Sequence, residues 1–327
     1  MFGIHHLHYV ILLLGLIGLL FVVHHLTRFA TNPRIIPISV NYHLTRACNY
    51  SCGFCFHTAK TSHVESLSNA KKGMALLKAS GMKKINFAGG EPFMNAEFLG
   101  QLAKYCKETL KVESVSVVTN GSKVTSKWLA KYGKYLDIMA VSCDSFDDTT
   151  NVKIGRGTGN HVKTFMDLCE MCKEHGVMFK VNTVVNRYNF QEDMNAAIDK
   201  IKPFRWKCFQ VLIVPEENGS ENTLRDARRF VINDEEWRLF CDKHKRQECF
   251  VPEGNDVMAS SYLLLDENLC FLNKGVAKPT RSILDIGVAE ALTDVYWDEE
   301  GFQKRGGVYQ WSKPDASERP AHPELEW

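Results

Sequence analysis

Cys48, Cys52 and Cys55 lie in the run RACNYSCGFCFHTAK with the spacing C-x3-C-x2-C. Three thiolates on one short loop can ligate three irons of a four-iron cluster, and the fourth iron is then left open for chemistry. The competing reading is a structural zinc site made of the three cysteines and His57, since Cys3His is a common zinc set. Zinc sites more often join two separated ligand pairs than crowd four ligands into one run, which weighs against it. One strand-helix unit downstream, KKINFAGGEPFMN reads as an apolar strand from Ile85 to Ala88 that ends in Gly89, Gly90, Glu91 and Pro92. The glycines let the backbone approach a ligand closely. Glu91 and the neighbouring carbonyls can meet an ammonium group, and Pro92 stops the strand.

A third constellation is cationic. In VMFKVNTVV a two-residue period puts Val177, Phe179, Val181 and Thr183 on one face and Lys180 and Asn182 on the other. A parallel strand is normally buried on both faces, so a lysine on one of them needs an explanation. Lys84 and Asn86 lead the strand before GGEP, and Arg205 and Lys207 lead RWKCFQ. If all six point inward, several cations share a cavity, which is unfavourable unless a polyanion occupies it. A triphosphate meets that demand. Taken alone, Lys84 or Arg205 reads equally well as a strand start in solvent.

These residues must be positioned by regular elements. Strands are expected at Ile36–Leu44, Ile85–Ala88, Val115–Thr119, Leu136–Ser142, Val177–Val185 and Trp206–Val214, with helical patterns between them, among them Leu67–Ser80, Phe98–Thr109 and Val162–His175. Six β-then-α units imply a parallel sheet with helices outside. After Asn233 the repeat fades into a tail. The chain has 327 residues, 45% of them hydrophobic and 24% charged, enough for one large buried core. Its net charge of +2 provides no general basic field, so no direct nucleic-acid partner is expected and any anion site is local. Eleven cysteines without regular pairing spacing indicate a reducing compartment. Cys169 and Cys172 form a C-x2-C inside a helical pattern and read as small buried hydrophobes.

The cysteine spacing, with Phe54 between the last two thiols, followed by GGEP, resembles the radical SAM superfamily, whose open iron binds the amino and carboxylate groups of S-adenosylmethionine. The ordered blocks NYHLTRACNYSCGFCFHTAKTS, INFAGGEPF, SCDSFDD, IGRG, RWKCFQ, SYLLLDE and KRGGVYQWSK carry the resemblance on to the viperin family of antiviral radical SAM enzymes, over nearly everything after residue 34. The resemblance implies an α/β fold: an open (βα)6 partial TIM barrel of the radical SAM type, with an N-terminal membrane helix and a C-terminal extension. The divisions are 1–34 for the membrane segment, 35–233 for the barrel and 234–327 for an extension covering the active site. Active residues are expected at strand C-termini, as in full barrels.

For the sites, the resemblance implies a [4Fe-4S] cluster on Cys48, Cys52 and Cys55. It places S-adenosylmethionine at Gly89, Gly90, Glu91, Asn120 and Ser142, with Arg156 of IGRGTGN clamping a carboxylate rather than merely solvated in a glycine turn. It implies triphosphate contacts at Lys84, Lys180, Asn182, Arg205 and Lys207, with Asn41 also at the substrate. Tyr262, otherwise a core tyrosine with its hydroxyl at an edge, becomes a candidate catalytic hydrogen donor. Lys304 and Arg305 become available to phosphate. The implied reaction turns CTP into 3′-deoxy-3′,4′-didehydro-CTP through a 5′-deoxyadenosyl radical, as part of antiviral defence, with a separate reductase as electron donor. The alternatives are a membrane-tethered antiviral scaffold with a structural cluster, or radical SAM chemistry on another nucleotide or a peptide. A scaffold has no need of inward cations.

The two ends differ in composition from the rest. Phe2 to Thr27 contains no Asp, Glu, Lys or Arg, and Tyr9 to Val23 is apolar on every face. A span needs roughly 20 apolar residues, so His5, His6, His8, His24 and His25 would lie in the interfaces. All-round hydrophobicity favours a short signal-anchor-like span over an interfacial helix. Arg28 and Arg34 follow the segment and no basic residue precedes it, which places the body on the cytoplasmic side of the endoplasmic reticulum, with lipid droplets as a second location. Trp327 resembles the aromatic by which viperins reach the cytosolic iron–sulfur assembly machinery.

Overall fold

A computed structural model describes residues 35–258, 260–273 and 278–313, and the described residues from Pro37 onward belong to one compact unit. The expected membrane segment and Trp327 lie outside the described residues. Eight parallel strands make one open sheet: β1 (Ser39–His43), β2 (Lys84–Ala88), β3 (Ser114–Thr119), β4 (Ile138–Ser142), β5 (Met178–Val185), β6 (Arg205–Gln210), β7 (Phe250–Glu253) and β8 (Leu263–Leu265). Their spatial order is β7-β6-β5-β4-β3-β2-β1-β8, so β7 and β8 are the two free edges. The first six strands sit in chain order, as right-handed βα repeats dictate, and helices such as Leu67–Ala79 and His161–Glu174 connect them.

The sheet differs from the sequence expectation at its edges. Two segments after residue 233, Phe250–Glu253 and Leu263–Leu265, join it. The helix Asp234–His244, started by a capping box between Asn233 and Glu236, continues the repeat into β7. β8 then adds to the other side of β1. Both edge strands are too short for periodicity to reveal, at four and three residues, and β7 carries Pro252, which an edge tolerates. The expected strand over Trp206–Val214 stops at Gln210, because the chain turns out toward a short helix opened by Pro215. The expected helix over Phe98–Thr109 is α-helical only to Lys104 and continues as a π turn over Tyr105–Thr109.

Alternation along β5 decides what faces inward. Phe179, Val181, Thr183 and Val185 are buried against the outer helices, while Met178, Lys180, Asn182 and Val184 are half-buried on the concave face. Register carries that face across the sheet: Lys180 pairs with Arg205 and Asn182 with Lys207, Ser39 with Lys84 and Asn41 with Asn86, and Lys84 with Ser114. The opposite faces make the core, where Trp206 is fully buried against Phe240 and His244.

Candidate active site

The cysteine loop leaves the C-terminal end of β1 and is fixed from two sides by backbone. Gly90 N donates to Thr45 O at 2.7 Å, and Glu91 N to Ala47 O at 2.8 Å, so the glycine motif is zipped onto the start of the loop. A Cβ on Gly90 would lie 2.3 Å from Ala47 O, a contact that real side chains do not make. From the other side, Ser51 N donates to Gly155 O at 3.1 Å and Gly53 N to Ile154 O at 2.9 Å. Gly155 has φ +87, and a Cβ there would meet Ser51 O at 2.5 Å. Cys48, Cys52 and Cys55 are free thiols on this clamped loop.

Burial pushes all three thiols up, Cys52 to about 12, and the Arg156 charge opposes that rise at each of them. Among the described residues no three His, Cys, Asp or Glu side chains are grouped to hold a single ion. The His57 ring is instead buried against His43, with centroids 4.1 Å apart. Three thiolates without His57 are the ligand number of a four-iron cluster with one open corner, whereas a structural zinc site takes four ligands.

The other residues expected at the cofactor gather at the neighbouring strand ends, with two changes of role. Glu91 is fully buried and does not present its carboxylate outward. Oε1 accepts from Phe93 N at 3.0 Å and Thr119 Oγ1 at 2.7 Å, and Oε2 accepts from Asn120 N at 2.7 Å. It ties the ends of β2 and β3 together, and burial raises its pKa against those three donors. Asn120 in turn donates to Asn49 Oδ1 at 3.0 Å, on the cysteine loop. Arg156 is buried with its Nε on Asp144, so one of its donors is already used for positioning. Ser142 ends β4, and its carbonyl holds the His161 ring at 2.8 Å. Gly89 and Gly90 lie where expected, beside Thr45 and Ala47.

The expected anion contacts all share the concave face. Lys84 is buried and donates to Ser114 Oγ at 3.0 Å and Ser116 Oγ at 2.7 Å, so it is no solvent-facing strand start. Burial and its cationic neighbours lower it to about 7. Burial lowers Lys207 to about 8, assisted by the charges of Arg305 and Arg205 and resisted by Glu253. Lys180 is lowered well below the lysine range by burial, then by Lys207 and Lys84. It makes no hydrogen bond or ion pair with a described residue. The Asn182 Oδ1 and Arg205 Nε atoms are also buried without partners. Asn41 donates weakly to Leu263 O at 3.3 Å. Mutually depressed cations beside unsatisfied polar groups are what an anion site looks like before its ligand is counted.

Sequence reasoning missed an acidic residue bonded to these cations. Glu253, at the end of β7, accepts from Lys207 Nζ at 2.5 Å and Arg305 Nη1 at 3.2 Å, while the Tyr262 hydroxyl donates to its other oxygen at 2.5 Å. Tyr262 also accepts from Lys207 Nζ at 2.8 Å, and the Arg305 guanidinium lies 3.9 Å over its ring. The tail behind this quartet crosses the strand N-termini. Tyr309 packs on Arg205 at 4.2 Å, Trp311 O accepts from Ser114 Oγ at 2.8 Å, and Lys313 N donates to Asp137 Oδ1 at 3.2 Å. Of the two tail cations, only Arg305 reaches the cavity; Lys304 is exposed and pairs with Glu300. No local pattern marks Glu253, because its partners come from three other elements.

The concave face therefore has thiols beyond the C-terminal ends of its strands and cations toward their N-terminal ends. Lys84 opens β2 and GGEP closes it, five residues later, so roughly 15 Å separates the two chemistries at the usual strand rise.

Comparison with known proteins identifies the family. The model of the radical SAM superfamily matches residues 42–201. The chain is 51% identical over 285 residues to the S-adenosylmethionine-dependent nucleotide dehydratase RSAD2 of Oncorhynchus mykiss, covering 85% of this chain and 82% of that one. It is 50% identical over 301 residues to the RSAD2 of Danio rerio, covering 90% and 82%. An S-adenosylmethionine-dependent nucleotide dehydratase of Flammeovirga pacifica is 33% identical over 300 residues, covering 88% and 100%. Among solved structures, Streptococcus suis SuiB bound to S-adenosylmethionine aligns with a TM-score of 0.62 at 18% identity, covering 84% of this chain and 69% of that one, a likeness of fold alone.

Proposed function

The chain belongs to the S-adenosylmethionine-dependent nucleotide dehydratases of the radical SAM superfamily, the viperin family, and from that premise we propose that it dehydrates CTP to 3′-deoxy-3′,4′-didehydro-CTP, a chain terminator for viral RNA polymerases. The family's cofactors are a [4Fe-4S] cluster, for which Cys48, Cys52 and Cys55 are the ligands, and S-adenosylmethionine. When bound and reduced, they supply a 5′-deoxyadenosyl radical that takes a hydrogen atom from the substrate.

The observation that carries the reading is the row of cations on the concave face, with Lys180 unpartnered in the middle of it. Lys84, Lys180, Arg205 and Lys207 hold the triphosphate near the strand N-termini. Asn182 and Asn41 orient it by hydrogen bonds, and the ribose is left toward the strand C-termini, where the thiols are. At the other end, Gly89, Gly90, Asn120 and Ser142 line the S-adenosylmethionine, and the remaining donors of Arg156 meet its carboxylate. Loss of the C4′ hydrogen atom and departure of the 3′-hydroxyl as water leave a demand for one electron and one proton. Tyr262 can provide both as a hydrogen atom, with Lys207 and Glu253 holding its phenol in place. A reductase supplies electrons to the system. The test is anaerobic turnover of the reconstituted enzyme with each of the four ribonucleoside triphosphates: CTP, and not the others, should yield a product lighter by one water.

Two further proposals concern residues outside those described. Residues 1–34 anchor the enzyme to the cytoplasmic face of the endoplasmic reticulum; the uninterrupted apolar run Tyr9 to Val23 supports this. Among the described residues no helix is long and apolar enough to cross a membrane. Residues 1–34 fused to a fluorescent reporter should take it to the reticulum and resist carbonate extraction. Release by carbonate would mean an interfacial helix, and a diffuse reporter would exclude both. Trp327, a large aromatic in a polar, proline-bearing segment, docks on the iron–sulfur assembly machinery. Deleting it should lower cluster content in cells while leaving activity per cluster unchanged after chemical reconstitution; normal maturation in cells would remove this role.

A further inference from the structure

Charge counting in the cavity leads one step beyond the choice of nucleotide. Five cations face or border it: Lys84, Lys180, Arg205, Lys207 and Arg305. They are close enough that Lys84, Lys180 and Lys207 each feel at least two of the others. One buried carboxylate, Glu253, is bonded to this group. Asp137, the other acid near Lys84, is already matched by Lys107 at 2.7 Å. With all five protonated, as they are once a polyanion is bound, and Glu253 ionised, the sum is 5 − 1 = +4. A triphosphate free of metal carries roughly four negative charges, one on each inner phosphate and about two on the terminal one. Coordination of one divalent cation would leave roughly two, and two positive charges of the cavity would then stay uncompensated in a low-dielectric interior, which is costly.

The ligands a divalent cation needs are also committed elsewhere. Magnesium on a bound nucleotide is usually fixed by one or two carboxylates together with phosphate oxygens and water. Both Glu253 oxygens are occupied, one by Lys207 and Arg305 and the other by the Tyr262 hydroxyl. Asp137 is occupied by Lys107, by Val115 N at 2.8 Å and by Lys313 N. Resting on the nucleotide reading above, we propose that the form of substrate this site accepts is the metal-free nucleoside triphosphate, so that divalent cations in solution compete with the enzyme for it. Lys84, Lys180 and Lys207 take the place that magnesium holds in other triphosphate sites, and the depressed pKa values of Lys84 and Lys207 mean that protons are taken up as the polyanion enters.

The experiment is isothermal titration of the reconstituted holoenzyme carrying S-adenosylmethionine, without reductant so that no turnover occurs, with CTP in metal-free buffer and then at rising magnesium, ionic strength being held with KCl. The dissociation constant referred to total CTP should rise in proportion to the ratio of total to metal-free nucleotide, tenfold for each tenfold fall in the free form. The substitution-inert chromium(III) complex of CTP should fail to displace CTP. An unchanged or tighter constant in magnesium, or displacement by the chromium complex, overturns the inference while leaving nucleotide binding intact. Binding in neither condition overturns the nucleotide reading and this inference with it.

Discussion

Cys52→Ala should reduce 5′-deoxyadenosine formation to background while leaving the protein folded. The three thiols are the cysteines of the clamped loop, and in the proposed assignment each ligates one corner of the cluster, so loss of one leaves two ligands and an unstable site. The fold does not need this side chain. The loop is held by Ser51 N on Gly155 O and Gly53 N on Ile154 O, bonds of the flanking backbone that the substitution keeps. Circular dichroism and melting temperature should therefore stay close to the parent while the brown colour and iron content fall. A variant that still cleaves S-adenosylmethionine would show that the ligand assignment is wrong.

Lys180→Ala should weaken CTP binding by about one to two decades, the equivalent of one charge-assisted contact of roughly 1.5 to 3 kcal/mol. The same change should not lower stability, which separates a binding role from a structural one. Lys180 has no hydrogen-bonded partner among the described residues, and its folded pKa lies well below the ordinary lysine value. In the window between those two values the unfolded chain binds more protons than the folded one, so the wild-type lysine costs stability at neutral pH and the cost fades as pH rises toward the ordinary lysine range. Alanine removes that cost. Calorimetric titration with CTP and a melting curve at pH 7 check both halves. Unchanged affinity, or a large loss of stability, would contradict the placement of Lys180 in an anion site.

How far the sequence reached depends on whether a feature is local. The alternation of VMFKVNTVV is visible in nine consecutive residues, and β5 carries Lys180 and Asn182 on the concave face as that pattern requires. The thiol spacing and GGEP are local too, and the structure zips them together through Thr45 and Ala47. Features made by distant partners were not legible. Glu253 acquires its meaning only when β7 lies beside β6 and the tail returns Arg305 to it. Glu91 looked like an outward ligand because its partners, Thr119 and Asn120, come from the next strand. Lys304 and Arg305 are neighbours of one charge, and only the helix end of Glu299–Lys304 decides which turns inward. The edge strands escaped notice because three or four residues give no period to read.

Isotopic transfer measures directly the proposed placement of the ribose between the thiols and the lysines. Turnover of the reconstituted enzyme with CTP deuterated at C4′ should deliver one deuterium into 5′-deoxyadenosine and give a dehydrated product that has lost that deuterium together with the 3′-hydroxyl and carries no label. Unlabelled 5′-deoxyadenosine accompanied by the dehydrated product would contradict it.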